Sequence, residues 1–332
     1  MGGVLGDNDA LTYALVQEAE RIYPFIWQTP EVRSDYLSEL TGGEVTLKLE
    51  NLQRLKAFKI RGMLNRILTM DPIALKKGIT VASSGNFAIA ASYCGHAFGI
   101  PVTVFVPYTT PEAKLRKIHK FGATVRLSGK DYDECLRDLK SMMSSQDIGG
   151  IFIDQSDPYV VAGYGTLGSE MANHIRGLQE VVLPVGGGNL MAGVGVALKS
   201  LDPSIKVLGV QTESCPAMVV SLREGRPYTE YASGESSCEA LIGGVDSLAF
   251  DYIKQMECQV FAVSERSILR AVRYLLTVEK VLAEPSAAVG VAYVLDNPTL
   301  FYGKNVAVVI SGGNIDFELL RGLASEPSDE FI

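Results

Sequence analysis

The chain has 332 residues, 47% of them hydrophobic and 20% charged, with a formal net charge of -8. That length admits two domains sharing an extensive interface, and the balance is that of an ordinary globular enzyme. The acidic surplus argues against a nucleic-acid partner, which would need a basic face, and no apolar run is long enough to span a membrane.

In chain order, Asp9 to Ile22 predicts an amphipathic helix with Leu11, Ala14, Leu15 and Ala19 on one face. Ahead of it, Met1 to Asp7 carries no basic start followed by an apolar run, so no signal peptide is expected. After Gly42-Gly43, Glu44–Leu49 alternates polar and apolar residues, the pattern of a half-buried strand. A helix is expected over Gly62–Met70. From Gly78 the chain alternates short strands and helices: Ile79–Ser83, Asn86–Phe98, Val102–Val106, Pro111–Phe121, Thr124–Leu127, Tyr132–Ser144 and Ile151–Asp154. The rhythm resumes with Gly165–Ile175 (helix), Glu180–Pro184 (strand), Leu190–Ser200 (helix) and Lys206–Val210 (strand). Arg226–Ser247 reads as loop. Gln259–Val263 (strand), Glu265–Val278 and Pro285–Asp296 (helices) and Asn305–Ser311 (strand) follow, and Ala324–Ile332 reads as a frayed tail. This βαβα order predicts an α/β protein with parallel sheets.

Five cysteines (Cys94, Cys135, Cys215, Cys238, Cys258) form no CxxC pair, which fits reduced thiols in a cytoplasmic protein. The three histidines are equally dispersed, so no metal site is expected.

Three stretches carry chemistry. Lys59 stands between Phe58 and Ile60. Apolar surroundings lower a lysine's pKa, and a partly neutral amine attacks carbonyls to form a Schiff base; taken alone, a snorkelling lysine at a helix start is the commoner reading. Ser83-Ser84-Gly85-Asn86-Phe87 joins a strand to a helix and offers hydroxyls and N–H groups to an anion, although Ser84 or Asn86 as a plain cap explains it equally well. Pro184-Val185-Gly186-Gly187-Gly188-Asn189-Leu190 also joins strand to helix. Its contiguous glycines suit a nest of N–H groups around a phosphate and match neither a dinucleotide fingerprint nor a P-loop.

The ordered set KxENxQ (from Lys48), FKIRG (from Phe58), SSGN (from Ser83), PxGGGxL (from Pro184), AEPSA (from Ala283) and SGGNID (from Ser311) resembles the fold-type II pyridoxal phosphate enzymes, of the serine/threonine dehydratase and serine racemase group. The resemblance runs from about Thr29 to Phe317. It implies a tryptophan synthase β-like fold with two parallel-sheet domains: a large one from residues 1–68 and 151–332, and a small one from 69–150, with the cofactor in the cleft. By this resemblance Lys59 carries pyridoxal 5′-phosphate and abstracts the substrate's Cα proton, and Phe58 packs on the cofactor ring. Asn86 bonds the ring hydroxyl, Gly186, Gly187, Gly188 and Asn189 cradle the phosphate, and Ser311 faces the pyridine nitrogen. Glu284 lies near the cofactor, where a helix-start cap is the ordinary alternative. Ser83, Ser84, Gly85, Asn86 and Phe87 line the substrate carboxylate site.

The implied activity is that of an ammonia-lyase that dehydrates a β-hydroxy amino acid to a 2-oxo acid and ammonia. Ser84 matches the extra serine of racemases, so racemisation stays open beside dehydration. The group also implies a homodimer. Departures are Ala57 for the usual serine, Asn189 for the fourth glycine, Phe87 for a common histidine, and Tyr164 for a common glutamine. Gln211, Cys215 and Ala217 stand where some members bind a cation.

Overall fold

The computed structural model describes residues 12–145 and 149–325. Ten strands fall in these residues: β1 (Glu31–Arg33), β2 (Glu44–Leu49), β3 (Ile79–Ala82), β4 (Val102–Val106), β5 (Thr124–Leu127), β6 (Ile151–Phe152), β7 (Glu180–Pro184), β8 (Lys206–Thr212), β9 (Gln259–Val263) and β10 (Asn305–Ile310). They form two sheets, one ordered β1-β2-β10-β7-β8-β9 and one ordered β5-β4-β3-β6. Every neighbouring pair is parallel except β1 with β2. Parallel strands need crossover connections, and the helices that supply them cover both faces, so β7 is buried along its whole length.

The alternating pattern of β2 predicted a half-buried strand, and the structure corrects this. Val45 to Leu49 are all buried, because β2 lies between β1 and β10. Lys48 is 0% exposed, and its ammonium is held by Glu31 at 2.7 Å and Glu170 at 2.8 Å. Polar residues on this strand face a buried ion network instead of water.

Elements not expected from the sequence flank this frame. Ser34 caps the helix Asp35–Thr41 by accepting from the Leu37 amide, and Gly42 ends it at φ 61°. Helices Ala217–Glu224 and Ser247–Gln255 bracket the expected loop, and Phe317–Ser325 forms a further helix reaching into the expected tail. The first expected helix is Tyr13–Glu18, which continues as a 3-10 turn over Ala19–Phe25. Its proposed start at Asp9, the leader reading of Met1–Asp7 and the tail from residue 326 lie outside the described residues. No helix among the described residues is long and apolar enough to cross a membrane.

The helix expected from Gly62 begins at Lys59 and ends at Leu68. Glycine disfavours a helix interior, which hid this start. At Gly62 the missing side chain is needed: a Cβ would stand 2.6 Å from both the Val160 carbonyl and the Tyr164 ring. The close approach of the helices Lys59–Leu68 and Pro158–His174 rests on it.

Candidate active site

Lys59 is the first residue of its helix, and the turn before it is fastened to the end of β10. The Phe58 amide donates to the Ser311 carbonyl at 3.1 Å, and Ala57 bridges Gly312. Its amine donates to Gln155 Oε1 at 3.0 Å. The rings of Phe58, Tyr164 and Phe87 lie 5.0, 5.5 and 5.9 Å from the same nitrogen. Burial lowers the Lys59 pKa to about 8, against the pull of Asp246 and Glu284. At neutral pH a useful fraction of the amine is therefore neutral and nucleophilic.

The loop after β3 meets the other sheet here. Asn86 opens the helix Asn86–Phe98, donates to Glu284 Oε1 at 2.9 Å and accepts from Asn314 Nδ2 at 2.8 Å. Ser83 is buried and its hydroxyl accepts from the Gly85 amide, while Ser84 and Gly85 are half-exposed. A Cβ at Gly85 would meet nothing within 4 Å, so the space beside this turn is open. Phe87 is 1% exposed and closes the floor.

Glu284 occupies an N-cap position, yet its side chain makes no cap bond. It turns to Asn86, and a Cβ on Gly312 would collide with its Oε1 at 2.2 Å. Burial raises its pKa to about 7, with the Asn86 bond pulling the other way. The capping alternative is thereby set aside for this residue. Ser311 is 6% exposed at the end of β10.

The glycine loop after β7 is built as a close-packed turn. Gly188 has φ 100°, a conformation that L side chains rarely adopt, and a Cβ there would also strike Met218 and Ala249. Gly186 packs on the Ala240 carbonyl and Gly187 on Asp246 Oδ2, at 2.9 and 2.6 Å from a would-be Cβ. Asn189 opens the helix Asn189–Leu201 and donates its amide to Asp246. The loop thus sits at the carboxyl end of a parallel strand and the start of a 13-residue helix, the usual place for an anion.

Three residues were not singled out from the sequence. Gln155 follows β6 and Asn314 follows β10, and a strand's carboxyl end was the available signal for both. Asp246 had none, since it lies in a stretch read as loop. Among the described residues no group of histidines, cysteines and carboxylates could hold a metal, and all five cysteines are buried and free.

Two buried polar atoms beside these groups lack a partner, Tyr164 Oη and Asn189 Oδ1. Buried polar groups are normally bonded, so these orphans, the strained glycine turn and a reactive amine together fit a bound molecule carrying both an anion and a carbonyl. Pyridoxal phosphate is such a molecule.

Known proteins agree. A family model described as pyridoxal-phosphate dependent enzyme matches residues 22–312. An L-threonine ammonia-lyase of Thermotoga maritima is 40% identical over 97% of this chain and 81% of its own. A beta-hydroxyaspartate dehydratase of Paracoccus denitrificans is 33% identical over 91% of this chain and 95% of its own. The serine racemase of Dictyostelium discoideum, 31% identical, superposes with a TM-score of 0.85 over 93% of this chain and 100% of that one. With matches of this extent along nearly its whole length, the chain belongs to the pyridoxal-phosphate-dependent enzymes of fold type II.

Proposed function

We propose that the protein dehydrates a β-hydroxy amino acid to a 2-oxo acid and ammonia, with Lys59 as the group that holds the cofactor and moves the Cα proton. The observation that carries this reading is the Lys59 amine, brought to a pKa of about 8 by burial at the meeting of both sheets' loops. Relatives named L-threonine ammonia-lyase and beta-hydroxyaspartate dehydratase support it.

In this reading Gly186, Gly187, Gly188 and Asn189 hold the phosphate, Phe58 packs on the ring, Asn86 bonds the ring hydroxyl and Ser311 faces the ring nitrogen. Ser83, Ser84, Gly85, Asn86 and Phe87 receive the substrate carboxylate, and Glu284 orients Asn86. When bound, the cofactor supplies the electron sink that makes the substrate's Cα proton acidic. Lys59, neutral in part near pH 7, accepts that proton. Gln155 fixes the amine through its hydrogen bond, and the three rings around it keep water out. Ser311 presents a hydroxyl to the ring nitrogen, which favours loss of the β-hydroxyl over transamination.

Racemisation is the second reading, on one observation: Ser84 is half-exposed in the open turn beside Gly85, where its hydroxyl would be available to a bound substrate. We also assign residues 69–152 to a smaller domain and the rest to a larger one. The pairing of β6 with β3 supports carrying that edge from the expected limit at 150 to Phe152. A homodimer in the cytoplasm acting on a small amino acid completes the reading.

The test is 2-oxo acid release by cofactor-loaded protein from L- and D-serine, threonine, 3-hydroxyaspartate and 3-phenylserine, beside Lys59→Ala. Release that vanishes in the variant is expected. No release from any substrate, with chiral inversion instead, would move the assignment to a racemase.

A further inference from the structure

Asp246 stands where a helix usually finds its cap. It precedes the helix Ser247–Gln255, and an aspartate there ordinarily accepts from an amide of the first turn. Here the carboxylate makes no such bond. It turns the other way, onto the glycine loop: Oδ2 lies 2.6 Å from where a Gly187 Cβ would be, and it accepts from the Asn189 amide. The Asp246 backbone N–H donates to the Gly187 carbonyl at 2.9 Å, so the carboxylate is anchored against the loop. Beside it Asn189 Oδ1 is buried without a partner.

We propose that Asp246 forms one wall of the cofactor's phosphate site, and that carboxylate and phosphate share a single proton there, so that cofactor binding takes up a proton. The proposal rests on the reading that Gly186–Asn189 holds the phosphate. Its physics is like-charge repulsion. A phosphate ester is largely a dianion above about pH 7, and two oxyanions pressed together out of water retain a proton between them.

The surroundings of Asp246 favour that outcome. Burial and the charge of Asp154 push its carboxyl up to about 6, against Asn189, Lys59 and Lys140. Tyr164, on the helix Pro158–His174, is the remaining titratable neighbour, and burial with the Asp246 charge keeps its phenol protonated. Lys59 and Lys140 are the facing cations.

The test compares dissociation constants of pyridoxal 5′-phosphate for the apo protein and for Asp246→Asn and Asp246→Ser, from pH 6.5 to 8.5, by equilibrium dialysis. Serine is a strong helix cap, so it guards against a folding defect in the other variant. Asp246 raises the Lys59 pKa, so the variants also shift the Lys59 titration, and pyridoxal, which meets the same amine without a phosphate, measures that shift. With one proton shared, the wild-type-to-variant ratio for pyridoxal 5′-phosphate, divided by the same ratio for pyridoxal, climbs about tenfold per pH unit above neutrality, or roughly 30-fold from pH 7 to 8.5. A divided ratio that stays flat overturns the shared proton, because the phosphate then adds no pH dependence of its own. If wild type fails to bind pyridoxal 5′-phosphate at all, the cradle reading itself falls.

Discussion

Arg61 lies two residues past Lys59 and is 0% exposed. It donates to both oxygens of Glu50 at 2.8 Å and to both oxygens of Glu170 at 2.6 and 3.0 Å, with Thr166 at 3.1 Å. Glu50 and Glu170 are 0% and 3% exposed. Replacing Arg61 by methionine leaves two buried carboxylates with one nearby cation, Lys48, which already serves Glu31 as well. Removing one partner of a buried ion pair costs about 3–5 kcal/mol. For a chain of this length the unfolding entropy is about 0.7 kcal/mol/K, so the thermal midpoint should fall by about 4–7 °C. The loss should also depend on pH. In wild type the Arg61 and Lys48 charges hold the Glu170 carboxyl below its ordinary value despite burial. That stability is present above the unfolded pKa and disappears as pH falls through the folded one. In Arg61→Met the stranded carboxylates have raised pKa values, so the deficit is greatest near pH 7.5 and shrinks as they protonate towards pH 5. Circular dichroism melts of both proteins at these two pH values measure it. A deficit below about 1 kcal/mol at pH 7.5, or one unchanged at pH 5, would refute the view that Arg61 is the charge partner of both glutamates.

Four shorter predictions concern the site. For the apo protein, Schiff-base formation with pyridoxal should rise about tenfold from pH 7 to 9 and level off, following a lysine of pKa about 8. A continued tenfold rise per unit would mean an ordinary lysine. Tyr164→Phe removes a buried hydroxyl without a partner, so the apo protein should gain up to about 1 kcal/mol in its melt while kcat/KM falls. Equal loss of stability and activity would show a purely structural tyrosine. Gly188→Ala must adopt φ 100° and displace Met218 and Ala249, at about 1–3 kcal/mol; cofactor retention on dialysis should drop, and retention at the wild-type level would separate the loop from the cofactor. Glu284 has a folded pKa raised to about 7, so its contribution to stability is complete below its unfolded value and declines as pH rises to about 7. Glu284→Gln should lack that decline, and parallel pH–stability curves for the two proteins would remove the buried-acid assignment.

How the residues divide between sequence and tertiary structure follows from the range of the forces involved. Local pattern was sufficient for β7, β9 and the helices Asn86–Phe98, Tyr132–Ser144 and Pro285–Asp296, whose expected bounds match those observed. In these, strand alternation, helix period and turn residues act within a few neighbours. The glycine loop and the serine turn were legible for the same reason: backbone freedom and capping chemistry are written in adjacent residues. What stayed hidden depends on partners far along the chain. Lys48 and Thr46 read as the wet face of a strand, because nothing local announces that β1, β10 and Glu170 enclose them. Gly62 reads as a helix start until Tyr164, about a hundred residues on, needs its empty space. Gln155 and Asp246 are ordinary loop residues in sequence, and only packing brings one to the Lys59 amine and the other to Gly187. The sequence by itself thus determined the elements and the reactive groups. Tertiary structure decided which of those groups are dry and which charges face each other, since burial and Coulomb energy depend on distance in space and not along the chain.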